Sequence, residues 1–195
     1  MTLKVRIYFT DTTKVYNDNY IEDIRCSENL TNSSIDIEPG ICEQYAEITL
    51  YDRDGDIHDR ASSGTLAKKQ KVEILIEDGE SIGTYFTTEW NVPGESSSIT
   101  ITCSDPSTTF DDIQIESAGI KTRTVDDLLT LTFEQIKSVV WQYIDTDTQA
   151  YCKSIRVPNS WYYANSAKST LNKICSLGML RIYWYIDRFI VARCY

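Results

Sequence analysis

The sequence predicts a mainly β chain with an α+β module: an antiparallel β-barrel or sandwich over residues 1–105, then over residues 106–195 two or three helices and a terminal β-hairpin. Three observations carry this. Roughly seven short runs with period-two apolar alternation, each closed by turn formers, fill about the first 105 residues. After Thr124 the apolar spacing turns helical. The formal charge also changes sign: 9 basic and 23 acidic residues through Ile120 give −14, and 10 basic and 6 acidic residues from Lys121 give +4. A boundary is expected between Asp105 and Thr124.

The elements follow in order. In LKVRIYFT, Leu3, Val5, Ile7 and Phe9 point one way and Lys4, Arg6 and Tyr8 the other, the signature of a half-buried strand. Residues 10–19 are polar and read as a loop, and Ile21 to Cys26 as a second strand. A short strand is expected before Pro39-Gly40. YAEITLYD places Ala46, Ile48 and Leu50 on one face, and RDGD follows as a hairpin turn, because Asp-Gly tolerates positive φ. KVEILIEDGE aligns Val72, Ile74 and Ile76; SIGTYFTTEW and ITITC supply the next strands, the latter with Ile99, Ile101 and Cys103 inward.

Beyond the boundary, Thr124 is a good N-cap with Asp127 three residues on. Leu128, Leu131, Ile136, Val139, Val140 and Tyr143 fit one helix broken near Thr132 or two consecutive helices. Ser166 caps a further helix with Leu171, Ile174 and Cys175 inward, and Gly178 stands where a C-terminal glycine is favoured. The final segment reads as a hairpin turning around Asp187-Arg188.

With 195 residues the chain can bury about 70% of its unfolded surface without staples. No apolar run is long enough for a membrane span, and the N-terminus alternates like a strand where a signal peptide would have an apolar core. Synthesis in the cytoplasm without export and no membrane insertion are the expectations. A net charge of −10 argues against a nucleic-acid footprint. The six cysteines, Cys26, Cys42, Cys103, Cys152, Cys175 and Cys194, are irregularly spaced, without the paired ligands of a zinc site. Reduced thiols are expected.

Candidate chemistry is sparse. Asp52, Asp54, Asp56 and Asp59 alternate like the start of a calcium loop, but Ile57 stands where such a loop needs glycine and Ser63 where it needs glutamate. A hairpin turn with solvated carboxylates is the simpler reading. His58, the one histidine, lacks a nucleophile elbow or signature cysteine, and reads as a solvent-exposed loop residue. A hydrolase built on it is the weakest reading of the chain. No glycine-rich phosphate loop is present. No catalytic, cofactor or metal residue is therefore assigned. The aromatics are richer: Trp90, and the Trp161-Tyr162-Tyr163 run with polar neighbours, are candidate protein-interface or glycan contacts, although strand cores use the same residues.

The stretch from Ala46 to Trp90 resembles the first barrel of bacteriophage baseplate-hub and tail-tip proteins. The features that carry it are the Asp-containing turn at Asp52 to Gly55, Leu66, the Val72 to Ile76 strand, Gly83 to Trp90, and Ile99 to Asp105 leading into a helical insertion. The segment from Ser169 to Cys194 resembles that family's helix–glycine–hairpin module. The likeness covers most of the chain and rests on element order and turn residues. It implies a structural, non-enzymatic subunit of the virion's tail tip or baseplate hub, without cofactors. The barrel would join a homo-oligomeric ring under the tail tube, with tube, spike and tape-measure proteins as partners. The alternative is a β-rich carbohydrate-binding module for a host or cell-surface glycan.

Overall fold

The computed structural model describes residues 2–29, 39–94, 96–116, 123–137, 139–157 and 165–194. Among these residues the chain is mostly β, with four helices, and it divides into two compact units: Met1–Glu28 with Gln44–Asp105, and Asn29–Glu43 with Pro106–Tyr195. Counted by unit, 9 basic and 17 acidic residues give the first −8, and 10 and 12 give the second −2. The sign change along the sequence disappears on folding, because the acidic stretches 29–43 and 106–120 join the second unit.

The first unit contains β1 (Leu3–Tyr8), β2 (Thr13–Tyr16), β3 (Ile21–Asn29), β4 (Gly40–Tyr51, from Gln44 on), α1 (Asp56–Ser62), β5 (Lys71–Ile76), β6 (Ser81–Asn91) and β7 (Ser98–Ser104). Its strands lie in the order β3-β4-β7-β6-β5-β1-β2, curled as a half-barrel. The register shifts at Ile74/Leu75 and at Thr87/Glu89, bulges that bend a strand and increase its twist. Alternation is what fills the interior: Val5, Ile7, Ile48, Leu50, Val72, Ile99, Ile101 and Cys103 are fully buried.

Two expectations change here. β5 aligns Val72 and Ile74 inward as expected, but Glu73 and Leu75 between and beyond them are covered too. Glu73 lies beneath three donors, Lys71 at 2.6 Å, Tyr8 at 2.8 Å and Arg6 at 2.9 Å. Burial opposes its ionisation, but the hydrogen bonds from Lys71, Tyr8 and Arg6 outweigh it and hold the carboxyl below the ordinary glutamate range. The expected hairpin after β4 is instead a turn into α1. Gly55, at φ 73°, starts the helix, the Asp52 carboxylate accepts from the free N–H groups of Ile57 and His58, and buried Ile57 anchors the turn in the core.

The second unit begins with a 3₁₀ turn (Pro106–Thr109) and continues through β8 (Gln114–Ile115), β9 (Arg123–Thr124), α2 (Val125–Gln135), β10 (Trp141–Tyr143), α3 (Thr146–Ser154), β11 (Arg156–Val157), β12 (Asn165–Ser166), α4 (Ala167–Gly178), β13 (Leu180–Tyr185) and β14 (Arg188–Arg193). Its sheet runs β10-β14-β13 and then Gly40 to Cys42 of β4, which lie parallel to Arg181 to Tyr183. The helices cover a core in which Phe110, Leu129, Leu171, Cys175, Ile182 and Phe189 are fully buried.

The capping box forms as expected. The Thr124 hydroxyl accepts from Asp127 N–H at 3.1 Å, and the Asp127 carboxylate accepts from Thr124 N–H at 2.8 Å. Replacing Thr124 with alanine is expected to cost about 1 kcal/mol in urea unfolding, within the range of lost caps, with Thr124→Asn recovering most of it. The helix after it is shorter than its apolar spacing implied. It ends at Gln135, and Trp141 to Tyr143 pair with Phe189 to Val191, because tertiary pairing of β-branched and aromatic residues overrides a helical period. α3 was not anticipated; Asp145 caps it by accepting from Thr148 N–H at 2.6 Å. At the end of α4 the left-handed residue is Met179 (φ 47°), so Gly178 is not the cap. Gly178 is required for space: a Cβ there would lie 2.8 Å from Leu180 Cδ1 and 3.3 Å from Val125 Cγ1. The final hairpin turns at Ile186-Asp187, and Arg188 is already in β14. The short strand expected before Pro39 falls mostly outside the described residues.

Candidate functional site

The one histidine is not a free loop residue. His58 sits in the first turn of α1 with its side chain 28% exposed, against Asp52, whose side chain is 3% exposed. Nδ1 lies 2.8 Å from Asp52 Oδ2, and Nε2 lies 3.0 Å from the Pro93 carbonyl oxygen in the loop between β6 and β7. Both ring nitrogens thus face acceptors of the protein itself.

The neighbouring carboxylates are likewise committed to the protein. Asp52 Oδ2 also accepts from the N–H groups of Ile57 and His58, Asp54 accepts from the Tyr20 hydroxyl at 2.9 Å, and Asp56 pairs with Lys14 at 2.7 Å and Arg60 at 3.1 Å. Among the described residues no group of three or more His, Cys, Asp or Glu side chains is placed to hold a metal ion. Oxygens turned toward N–H groups and cations do not converge on one point, as calcium requires. Calorimetric titration with calcium at micromolar concentration is therefore expected to show no saturable heat, and a signal lost in Asp54→Ala would contradict this.

Trp90 is half-buried in the first unit. Its ring stacks on Phe9, centroids 5.9 Å apart and planes 26° apart, and Nε1–H donates to the Ala67 carbonyl at 3.0 Å. Trp161, Tyr162 and Tyr163 lie outside the described residues. Sequence reasoning passed over a tyrosine–arginine cluster in the first unit: Arg53 lies 5.5 Å from the ring of exposed Tyr51 and 6.0 Å from that of half-buried Tyr20. The interleaving YDRD in the sequence was the available signal. Exposed apolar side chains include Val15 on β2, an edge strand of the first unit, and Val140 and Ile144 flanking β10, the edge strand of the second unit's sheet. Unpaired edges of this kind are where further strands add.

Two hollows among the described residues are open to solvent. One, of 470 Å³, is lined by Asp111, Lys168, Asn172 and Lys173 on the outer side of α4; another, of 490 Å³, by Asp126, Trp141, Tyr143 and Asp145 beside β10. Neither is the enclosed cleft that small-molecule sites favour. No disulfide joins any of the six cysteines, of which Cys42, Cys103, Cys152 and Cys175 are buried. Burial pushes the Cys152 thiol up to about 11, so it resists becoming a nucleophilic thiolate. Among the described residues no helix is long and apolar enough to cross a membrane.

No protein-family model and no curated protein sequence matches the chain. Its fold, in contrast, recurs in solved structures. It matches the tail protein from Neisseria meningitidis MC58 with a TM-score of 0.57 at 13% identity, over 97% of this chain and 50% of that one. It matches prophage tail protein gp18 from Listeria monocytogenes EGD-e with a TM-score of 0.63 at 11% identity, over 99% and 51%. The 43 kDa tail protein of prophage MuSo2 from Shewanella oneidensis gives 0.59 at 12% identity, over 98% and 53%. The chain spans about half the length of these structures. At such identities the likeness is one of fold, and that fold is the one found in these phage tail proteins.

Proposed function

We propose that this chain, sharing its fold with phage tail proteins, is a structural subunit of a phage-type tail tip or baseplate hub, and not an enzyme. The observation that carries this reading is the fold likeness along 97–99% of the chain to three tail proteins. The arrangement of chemistry supports it. Both ring nitrogens of the one imidazole face acceptors of the protein itself, burial pushes the Cys152 thiol up, and the two hollows described are open to solvent.

In this reading the chain belongs to a ring at the end of the tail tube and contacts tube, spike and tape-measure proteins. The exposed edges of β2 and β10 suit the pairing of surfaces between subunits. The −8 charge of the first unit suits a wall past which DNA moves without adsorbing. The glycan-binding alternative draws nothing from Trp90, whose ring and N–H are taken up by Phe9 and Ala67. Immunogold labelling of assembled particles tests the assignment. Gold is expected at the end of the tail tube remote from the head, and label confined to the head or absent from particles would contradict it.

A further inference from the structure

We propose that His58 is a pH-sensitive latch that holds the loop between β6 and β7 against helix α1. Its two ring nitrogens face acceptors from two different elements: Asp52 Oδ2 at 2.8 Å, at the end of β4, and the Pro93 carbonyl oxygen at 3.0 Å. A carbonyl only accepts. Asp52 Oδ2 already accepts from Ile57 N–H at 3.1 Å and His58 N–H at 3.0 Å, the environment of an ionised carboxylate. Both ring contacts are therefore hydrogen bonds only when both nitrogens carry protons, that is, when His58 is the imidazolium.

Loss of one proton breaks one contact. The Nδ1–H bond to the carboxylate is charge-assisted and the stronger of the two, so the proton leaves Nε2. A nitrogen lone pair then faces a carbonyl lone pair at 3.0 Å, and moving the loop away, with water entering, relieves the repulsion. The latch is thus closed by a proton and opened by its loss.

The charges around the ring leave this assignment to Asp52. From the β6–β7 loop the described groups that meet the ring are the Pro93 and Ser96 backbones. On α1, Asp56 and Arg60 pair with each other and with Lys14 and Asp11, and Asp54, ahead of the helix, is bonded to Tyr20. Asp59 is the remaining acid of the helix, and from β2 the buried Tyr16 phenol, pushed up by burial first and then by Asp56 and Asp52, stays neutral. The hydrogen bond to Asp52, followed by that to Pro93, raises the proton affinity of His58 above the ordinary histidine value of 6.5. With the folded value raised, the latch's contribution is fully present below about pH 6.5 and is lost as pH climbs through the folded value.

A single histidine makes the test clean, because proton–nitrogen NMR of the labelled protein shows one imidazole. Near pH 6 both ring nitrogens are expected to be protonated. The titration midpoint is expected above 6.5, lower in Asp52→Asn, and the amides of Val92, Gly94, Ser96 and Ser97 are expected to shift with the same midpoint and to exchange faster above it. In His58→Gln those amides should not titrate, and their exchange should match that of the alkaline wild type. A wild-type midpoint at or below 6.5, or loop amides indifferent to the titration, overturns the proposal. The wild-type titration decides the matter even where Asp52→Asn fails to fold.

Discussion

Replacing Phe189 with alanine is expected to destabilise the second unit by about 3–5 kcal/mol, the range for emptying a large aromatic site in a core that cannot collapse around it. Phe189 is fully buried on β14 and is the hub of an aromatic cluster. Its ring centroid lies 4.8 Å from that of Trp184, 5.2 Å from that of Phe110 and 6.1 Å from that of Phe133, which itself stacks on Trp141 at 4.9 Å. The side chain therefore joins the terminal hairpin, the 3₁₀ turn, α2 and β10. Urea unfolding followed by tryptophan fluorescence gives the measurement, since Trp184 and Trp141 report from the same cluster. A loss below about 1 kcal/mol would mean that the cluster is not the structural centre of this unit.

The corresponding position in the first unit is Ile101, for which alanine is expected to cost about 2–5 kcal/mol. It is fully buried on β7, a central strand, and is paired with Ile48 on β4 and Trp90 on β6. The comparison that gives this figure meaning is Val140→Ala. Val140 is 59% exposed beside the edge strand β10, and its truncation is expected to change stability by no more than about 0.5 kcal/mol. Chemical unfolding of the two variants side by side separates a packed interior position from a surface one.

The contrast between these positions explains what could be read from the sequence. Ile101, Ile48 and Val5 sit in strands whose alternation is strict, so their inward face followed from period two alone. Thr124 with Asp127, and Ser166, which accepts from Ser169 N–H, are local caps and were equally legible. α1 was hidden because its seven residues bury a single apolar side chain, Ile57, and α3 because it buries only Thr148 and Cys152. Neither carries an apolar stripe. β10 was misread for the opposite reason: Ile136, Val139, Val140 and Tyr143 keep a perfect helical spacing, and only the partner strand 48 residues away decides their state. The parallel pairing of Ile41 with Ile182 is more distant still and has no local signal. The same applies to the site. Asp52 and His58 are neighbours in sequence, but the second acceptor comes from Pro93, across two strands. The aromatic residues chosen as contacts were selected for type, and type alone did not reveal that Trp90 stacks on Phe9.

The central claim is that this chain builds the end of a tail, and crosslinking mass spectrometry on assembled particles tests it most directly. Surface lysines such as Lys68 and Lys173 provide the reactive handles. The account predicts crosslinks from this chain to tail-tube or spike proteins, together with crosslinks between copies of the chain itself. Crosslinks confined to distal receptor-binding fibres, with none to tube or spike, would contradict it and bring the carbohydrate-binding reading forward.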